Sequence, residues 1–437
     1  MSEQASQMMA LLCSVVRSVP VGTNLALLHL LWMLVSGQLL LSRGAVIPGL
    51  AQLGLSPRAV RRAWQALRQG GWSIGQLLVN WEAALCSAGQ WHVRYHSGYC
   101  AVAIDTTGFG RPRLQNCPST HYDQQAGKAL PAIVLGIIGR VGQVGKQRLL
   151  LPLGILRVAP AQPTEAGLIQ TLIISAKSLL QAQDVLVSDG GFPLEVIQTA
   201  KVPRYVAKQA RNMTARRDQP PEYEGKGRPA ERGVLVRPLP RTYKDHVIAA
   251  TAPDRTEEWQ AEGVTVRADL WDHLVLTSTR ADALAEAPRF TVLVIHDPRF
   301  TKPLVLATNL TLAAQTVCAL YRDRWPVEQM PLAAKQMIGA VRAFVFAQET
   351  CQRLPALALL AGAILSYAAA CLPAIPTGFW DRHPQPTPGR LRRFLARVGF
   401  PTDYPLPPEI RQKASVTDHL PKGASLFRRI KGSAAPV

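Results

Sequence analysis

The sequence predicts an α/β protein: a mixed sheet flanked by helices, preceded by an all-helical region and interrupted by a β-rich insertion. Three observations carry that expectation. Residues 1–95 repeat apolar side chains at helical spacing among Ala, Leu, Gln and Arg, with few strand signals. From Tyr99 short apolar runs alternate with helix patterns, the mark of an α/β layer fold. Between residues 211 and 290 the chain turns polar and rich in Arg, Pro and Gly before apolar strands resume.

Composition bounds the function. The chain has 437 residues, 48% of them hydrophobic, which is ample for a core and excludes a disordered tail or minimal binding module. Its 49 Lys and Arg against 29 Asp and Glu leave a net charge of +20. An excess of that size lies on the surface, where it favours a polyanion such as nucleic acid or an anionic membrane. Seven scattered cysteines (13, 86, 100, 117, 318, 351 and 371) form no C-x-x-C pair and read as reduced thiols of a cytosolic protein. The opening MSEQASQMMA has no basic stretch ahead of an apolar one, so no secretory signal is expected.

In chain order, GAVIPGLAQLGLSPRAVRRAWQALRQ reads as two short helices around a Gly turn. Gly54 ends the first, Ser56 caps the second and Pro57 takes its first position. Arg58, Arg61, Arg62 and Arg68 then share a helix whose Ala59, Ala63, Ala66 and Leu67 pack inward, as a helix-turn-helix presents its recognition helix. An ordinary amphipathic helix with a solvated basic face has the same pattern. Two runs, 25–41 and 354–375, have the apolarity of membrane spans; the second carries no charge, yet is Ala-rich with Pro at both ends, as a buried core helix is.

YCAVAIDTTGF reads as a strand ending in an acid, AIVLGIIGRV and LLLPLGILRV as the next two, and TEAGLIQTLIISAKSLLQ as a helix. DVLVSDGG follows as a strand ending in a second acid, then FPLEVIQTA as a short helix and RYVAKQA as a strand. That order, antiparallel strands first and parallel ones after, is that of an RNase H-like sheet. VIAATA, VTVRADL and DHLVLTS read as strands of a small antiparallel insertion, and residues 201–255 hold thirteen Lys and Arg against six Asp and Glu. FTVLVIHD and PLVLATNL return to the core. The expected divisions are a helical DNA-binding region at 1–95, core at 96–210 and 291–380, basic insertion at 211–290, and a basic Pro-rich tail at 381–437.

Asp105 and Asp189 stand where apolar strands meet small residues, and paired hard oxygens there suit magnesium or manganese. Either alone is also what an ordinary turn carries. Tyr321, Arg324, Glu328 and Lys335 lie at offsets that keep them near one helix face, with Pro326 expected to start a new turn or kink the helix.

Tyr, two residues, Arg, three residues, Glu, six residues, Lys matches in full a signature of the DDE transposases of the fourth insertion-sequence family, and the chain resembles that family over roughly residues 99–345. Asp105 and the D-G-G-F stretch from Asp189 resemble its other acidic regions, and the 139 residues from Asp189 to Glu328 suit members with a β-rich insertion. The resemblance implies that Asp105, Asp189 and Glu328 are catalytic and hold two Mg²⁺ ions about 3.5–4 Å apart, with Mn²⁺ able to substitute. It implies phosphate contacts from Tyr321, Arg324 and Lys335, and makes His121, Tyr122 and Lys128 weaker candidates. Arg58, Arg61 and Arg62 are the expected DNA contacts of the helical region.

The implied partners are double-stranded DNA, both transposon ends and target, and a second copy in a homodimeric synaptic complex, with no membrane; the implied place is the bacterial cytoplasm at the nucleoid. Trp259 and Trp271 are candidates to stack on an unpaired base. No Walker-type phosphate loop or nucleophilic triad is expected. A nuclease that cuts without joining, and a domesticated derivative that binds DNA without chemistry, are the alternatives.

Overall fold

A computed structural model describes residues 2–117, 119–123, 126–159, 164–225, 227–244 and 246–413. Six helices come first: α1 (Glu3–Val16), α2 (Thr23–Val35), α3 (Gln38–Leu41), α4 (Val46–Ala51), α5 (Pro57–Gln69) and α6 (Ile74–Ala88). The apolar run at 25–41 is not one helix, because Gly37 at φ 72° turns the chain between α2 and α3. α2 is apolar on every side and buried from Ala26 to Val35, as a core helix of a large protein is. Helices α4 and α5 form the expected pair. Gly54 adopts φ 77°, Ser56 Oγ accepts from Ala59 N at 3.3 Å, and Ala59, Val60, Ala63, Ala66 and Leu67 are buried.

The α/β part opens with β1 (His92–Val93), β2 (Cys100–Gly110), β3 (Thr120–Asp123), β4 (Lys128–Val144) and β5 (Gln147–Arg157). Then come α7 (Glu165–Leu179), β6 (Asp184–Ser188), α8 (Leu194–Thr199) and β7 (Tyr205–Lys208). β4 and β5 form a hairpin across a two-residue turn in which Gly145 supplies φ 55°. Helical crossovers through α7 and α8 make β2, β6 and β7 parallel. The resulting order is β5, β4, β2, β6, β7, antiparallel across the first three and parallel across the last three.

Residues 211–290, expected as a small antiparallel insertion, are rich in strands that extend the main sheet. Their strands are β8 (Ala215–Arg217), β9 (Leu235–Val236), β10 (Arg241–Tyr243), β11 (His246–Ile248), β12 (Arg255–Ala261) and β13 (Val264–Leu276), followed by β14 (Phe290–His296) and β15 (Leu304–Thr308). β15 pairs with β7, β14 with β15, and β13 with β14, so one sheet runs from β5 through to β8 and β9, with β12 on β13. VTVRADL and DHLVLTS are a single strand, β13, kinked where His273 takes φ 53° and the register slips between Trp271 and Leu274.

Three helical pieces follow: α9 (Ala314–Arg322), α10 (Pro326–Leu332) and a π-helical turn, Ala333–Met337. α11 (Gln348–Cys371) is the apolar run at 354–375; it is long and apolar enough to cross a membrane by length and composition, and 83% of its most apolar window is buried inside the molecule. α12 (Pro388–Val398) buries Leu391 and Leu395. The described part of the expected tail is therefore docked. Trp32 Nε1 donates to Gly399 O at 2.6 Å and Asn24 Nδ2 to Glu409 O at 2.7 Å. The basic stretch Arg428 to Lys431 lies outside the described residues.

Candidate active site

Alternation along β2 sends Val102, Ile104, Thr106 and Gly108 toward α7 and Ala101, Ala103, Asp105 and Phe109 to the opposite face. Asp105 is in mid-strand, five residues before β2 ends at Gly110, rather than at its end as expected. Asp189 follows β6 directly, where its Oδ1 accepts from Gly191 N at 2.9 Å. Because β2 and β6 are adjacent and parallel, the two acids stand side by side.

The third group arrives from α9 and α10. Pro326 starts α10, so the signature lies on three helical pieces, yet all four residues converge. Arg324 has a buried guanidinium that pairs with Glu328, and its Nη1 stands 3.9 Å from Asp105 Oδ2. Among the described residues Nη1 makes no hydrogen bond although it is buried. Arg324 also lies 5.9 Å from the ring centre of Tyr321. Lys335 Nζ is 5.4 Å from the ring centre of Phe109 and within Coulombic reach of Asp105.

Electrostatics mark Asp105 as the strained member. Burial, then the facing charge of Asp189, push its carboxyl up to about 7; Arg324 and the Thr106 amide pull the other way, and Glu328 adds to the rise. Burial lowers Lys335, with Asp105 opposing. Burial raises the Tyr321 phenol. Carboxylates offer the hard oxygens that a divalent cation takes, although here only Asp105 is largely enclosed, Asp189 is half-buried and Glu328 is exposed. In the described arrangement Glu328 is held by Arg324, and among the described residues no three His, Cys, Asp or Glu side chains stand close enough to hold one ion. Asp105, Asp189 and Glu328 thus have the donor type a magnesium ion takes, but Arg324 is lodged between Asp105 and Glu328 and the three do not stand as a metal site in this arrangement.

The other candidates are placed as follows. Arg58 and Arg61 are exposed on α5, whereas Arg62 is half-buried and donates to Gln412 Oε1 at 2.5 Å. His121 and Tyr122 belong to the β3–β4 hairpin, which Lys128 continues. His121 Nδ1 stands 3.2 Å from Glu165 Oε2, and Thr106 Oγ1 donates to Glu165 Oε1 at 2.7 Å, all on the sheet face opposite Asp105. Trp271 is corrected as a stacking candidate: it is 2% exposed, with its Nε1 donating to Ala252 O at 2.9 Å. Trp259 is half-buried against the main core. Sequence reading missed Phe300, 64% exposed in the β14–β15 turn. It edges a cleft of about 480 Å³ that also contains Lys208, Arg211, Lys302 and Tyr321. A lone Phe in a turn has no periodic signal to single it out. No family model matches the chain, and no curated protein matches it.

Proposed function

We propose that the chain is a metal-dependent DNA transposase that cuts at transposon ends and joins the freed ends to target DNA. The observation that carries this reading is the convergence of Tyr321, Arg324, Glu328 and Lys335 on Asp105 and Asp189, although 139 residues separate Asp189 from Glu328. The strand order β5, β4, β2, β6, β7 supports an RNase H-like core.

Asp105, Asp189 and Glu328 would hold Mg²⁺, or Mn²⁺ in its place. A bound ion would supply the charge that activates the attacking oxygen and stabilises the leaving 3′ oxygen of an in-line phosphoryl transfer. The chain's own residues orient the DNA. Arg324 offers a buried, unbonded Nη1 beside Asp105, and its guanidinium fork suits a phosphate oxygen. Arrival of the phosphate also releases Glu328 from its pairing with Arg324. Lys335 adds a point charge within Coulombic reach of Asp105. Water is the nucleophile in the cut and the freed 3′-OH in the joining, so one set of carboxylates serves both. The cleft edged by Phe300 has an exposed ring beside four cations, Lys208, Arg211, Lys302 and Arg322, which suits a base lifted from the duplex next to the cut.

A second reading, a DNA-binding derivative without chemistry, is favoured by one observation, the Arg324–Glu328 pair that occupies the third acid. Nicking of a supercoiled plasmid that carries the gene with its genomic flanks, in Mg²⁺ or Mn²⁺, separates them. The wild-type chain should nick, and Asp105→Asn, Asp189→Asn and Glu328→Gln should each abolish nicking while DNA binding stays within about threefold. A wild-type chain that binds without nicking supports the derivative. Nicking without joining of a pre-cut 3′ end makes the chain a nuclease.

A further inference from the structure

One buried carboxylate holds the break between α9 and α10. Asp323 is the C-cap residue of α9, its side chain is 2% exposed, and its amide donates to Ala319 O at 3.1 Å. The carboxylate accepts from Arg94 Nε at 3.0 Å, from His96 Nε2 at 2.8 Å and from Arg148 Nη1 at 3.4 Å. Arg148 Nη1 also donates to Arg322 O at 3.0 Å, a carbonyl at the helix end that otherwise accepts only a long bond, 3.5 Å, from Trp325 N among the described residues. Arg94 is tied in turn to Gln143 of β4 at 2.6 Å. Burial works against the charge on Asp323, yet the hydrogen bonds from His96 and Arg94 outweigh it and hold the carboxyl below its usual range.

The three partners of Asp323 come from the lead into β2, the strand of Asp105, and from β5 two strands away. Asp323 lies one residue before Arg324 and five before Glu328. A clamp placed there sets the distance between acids that belong to separate elements. We propose that Asp323, held by Arg94 and His96, is a positioning residue that fixes Arg324 and Glu328 against Asp105 while touching neither DNA nor metal. The proposal rests on the transposase reading for its kinetic consequence and on the geometry for its structural one.

The test uses the full chain, the same supercoiled plasmid with Mn²⁺, and hydrogen exchange followed peptide by peptide. His96→Ala removes one ligand of the clamp and should lower the saturating nicking rate by about ten- to a hundredfold, since a misplacement of about 1 Å suffices for that. The half-saturating plasmid concentration should move by less than about threefold. His96→Gln keeps an N–H donor and should restore the rate to within about threefold of wild type. Asp323→Asn should behave as His96→Ala does or worse. Exchange should quicken in peptides spanning 314–332 and stay unchanged in α11. An unaltered rate in both His96→Ala and Asp323→Asn overturns the proposal, as does exchange that quickens evenly over the whole molecule. If the wild-type chain nicks nothing, the transposase reading fails by itself. The exchange experiment then decides the clamp: loosening confined to 314–332 upholds it, and none overturns it.

Discussion

Asp105 combines a position the sequence pattern singles out with an environment it does not describe. Its carboxyl is raised to about 7 because it is buried opposite Asp189, so the folded chain holds this proton more tightly than the unfolded chain does. The sign follows: between about pH 4 and pH 7 this group makes stability fall as pH rises, and above pH 7 the whole cost is present. In metal-free buffer Asp105→Asn should therefore stabilise the fold by about 2–4 kcal/mol at pH 8, with the gain shrinking toward zero near pH 4. Urea unfolding at the two pH values in a chelator measures it. An equal gain at both would mean that the substitution acts through packing and not through the charge. That Asp105 and Asp189 stand on neighbouring core strands was legible from small residues following an apolar strand. That Arg324 lies between Asp105 and Glu328 was not, since no spacing along the chain encodes which partner a long side chain selects.

At the scale of elements, α11 shows how an apolar run is assigned. Its composition fits a membrane span, but its neighbours are protein: Gly362 packs so closely on the next layer that a Cβ there would meet the Ala333 Cβ, Ala334 N and Met330 O at 3.3 Å. α11 is thus the wall behind α10 and the π-helical turn, which carry Glu328 and Lys335. Gly362→Ala should be nearly neutral, because the tight contact offsets a helix-propensity gain of about 1 kcal/mol. Gly362→Val should cost about 1–3 kcal/mol by overpacking and lower plasmid nicking by about tenfold or more as α10 moves. Melting curves and nicking rates on the two variants check this; full activity in Gly362→Val would show that α10 does not lean on α11. Helix α5 is the contrasting case, in which every local signal agreed. Ser56, Pro57 and the inward Ala and Leu positions are where a helix-turn-helix pattern puts them. Its far end is fastened by Arg353 of α11, whose Nη1 donates to Gly70 O at 3.0 Å.

For the molecule as a whole, the +20 charge translates into a binding law. If the excess neutralises phosphates, the logarithm of the DNA association constant falls by about 0.9 per phosphate contact against the logarithm of salt concentration. Replacing exposed Arg58 and Arg61 together by Ala should flatten that slope by up to about two contacts. Filter binding or fluorescence anisotropy across a salt series reads the slope. A slope unchanged by the double substitution would return α5 to a solvated basic face. Arg62 is excluded from that experiment because its guanidinium is engaged by Gln412.

Signals that act over one or two turns of chain were enough for the helical region, the caps, the first five core strands with their crossovers, and the acids that those strands carry. Each depends on residues within reach of their own backbone, as with Ser56 on Ala59 or Gly145 in its hairpin turn. Decisions that required partners far along the chain came only from the folded molecule. β13 seats itself beside β14, and β15 beside β7, so the expected insertion continues the core sheet. Trp271 is enclosed, while Phe300 is left open beside Tyr321. Arg94, His96 and Arg148 find Asp323 across more than 170 residues. Sheet pairing, burial and ion pairing are contests among distant groups for the same space, and packing decides them after the local elements have formed.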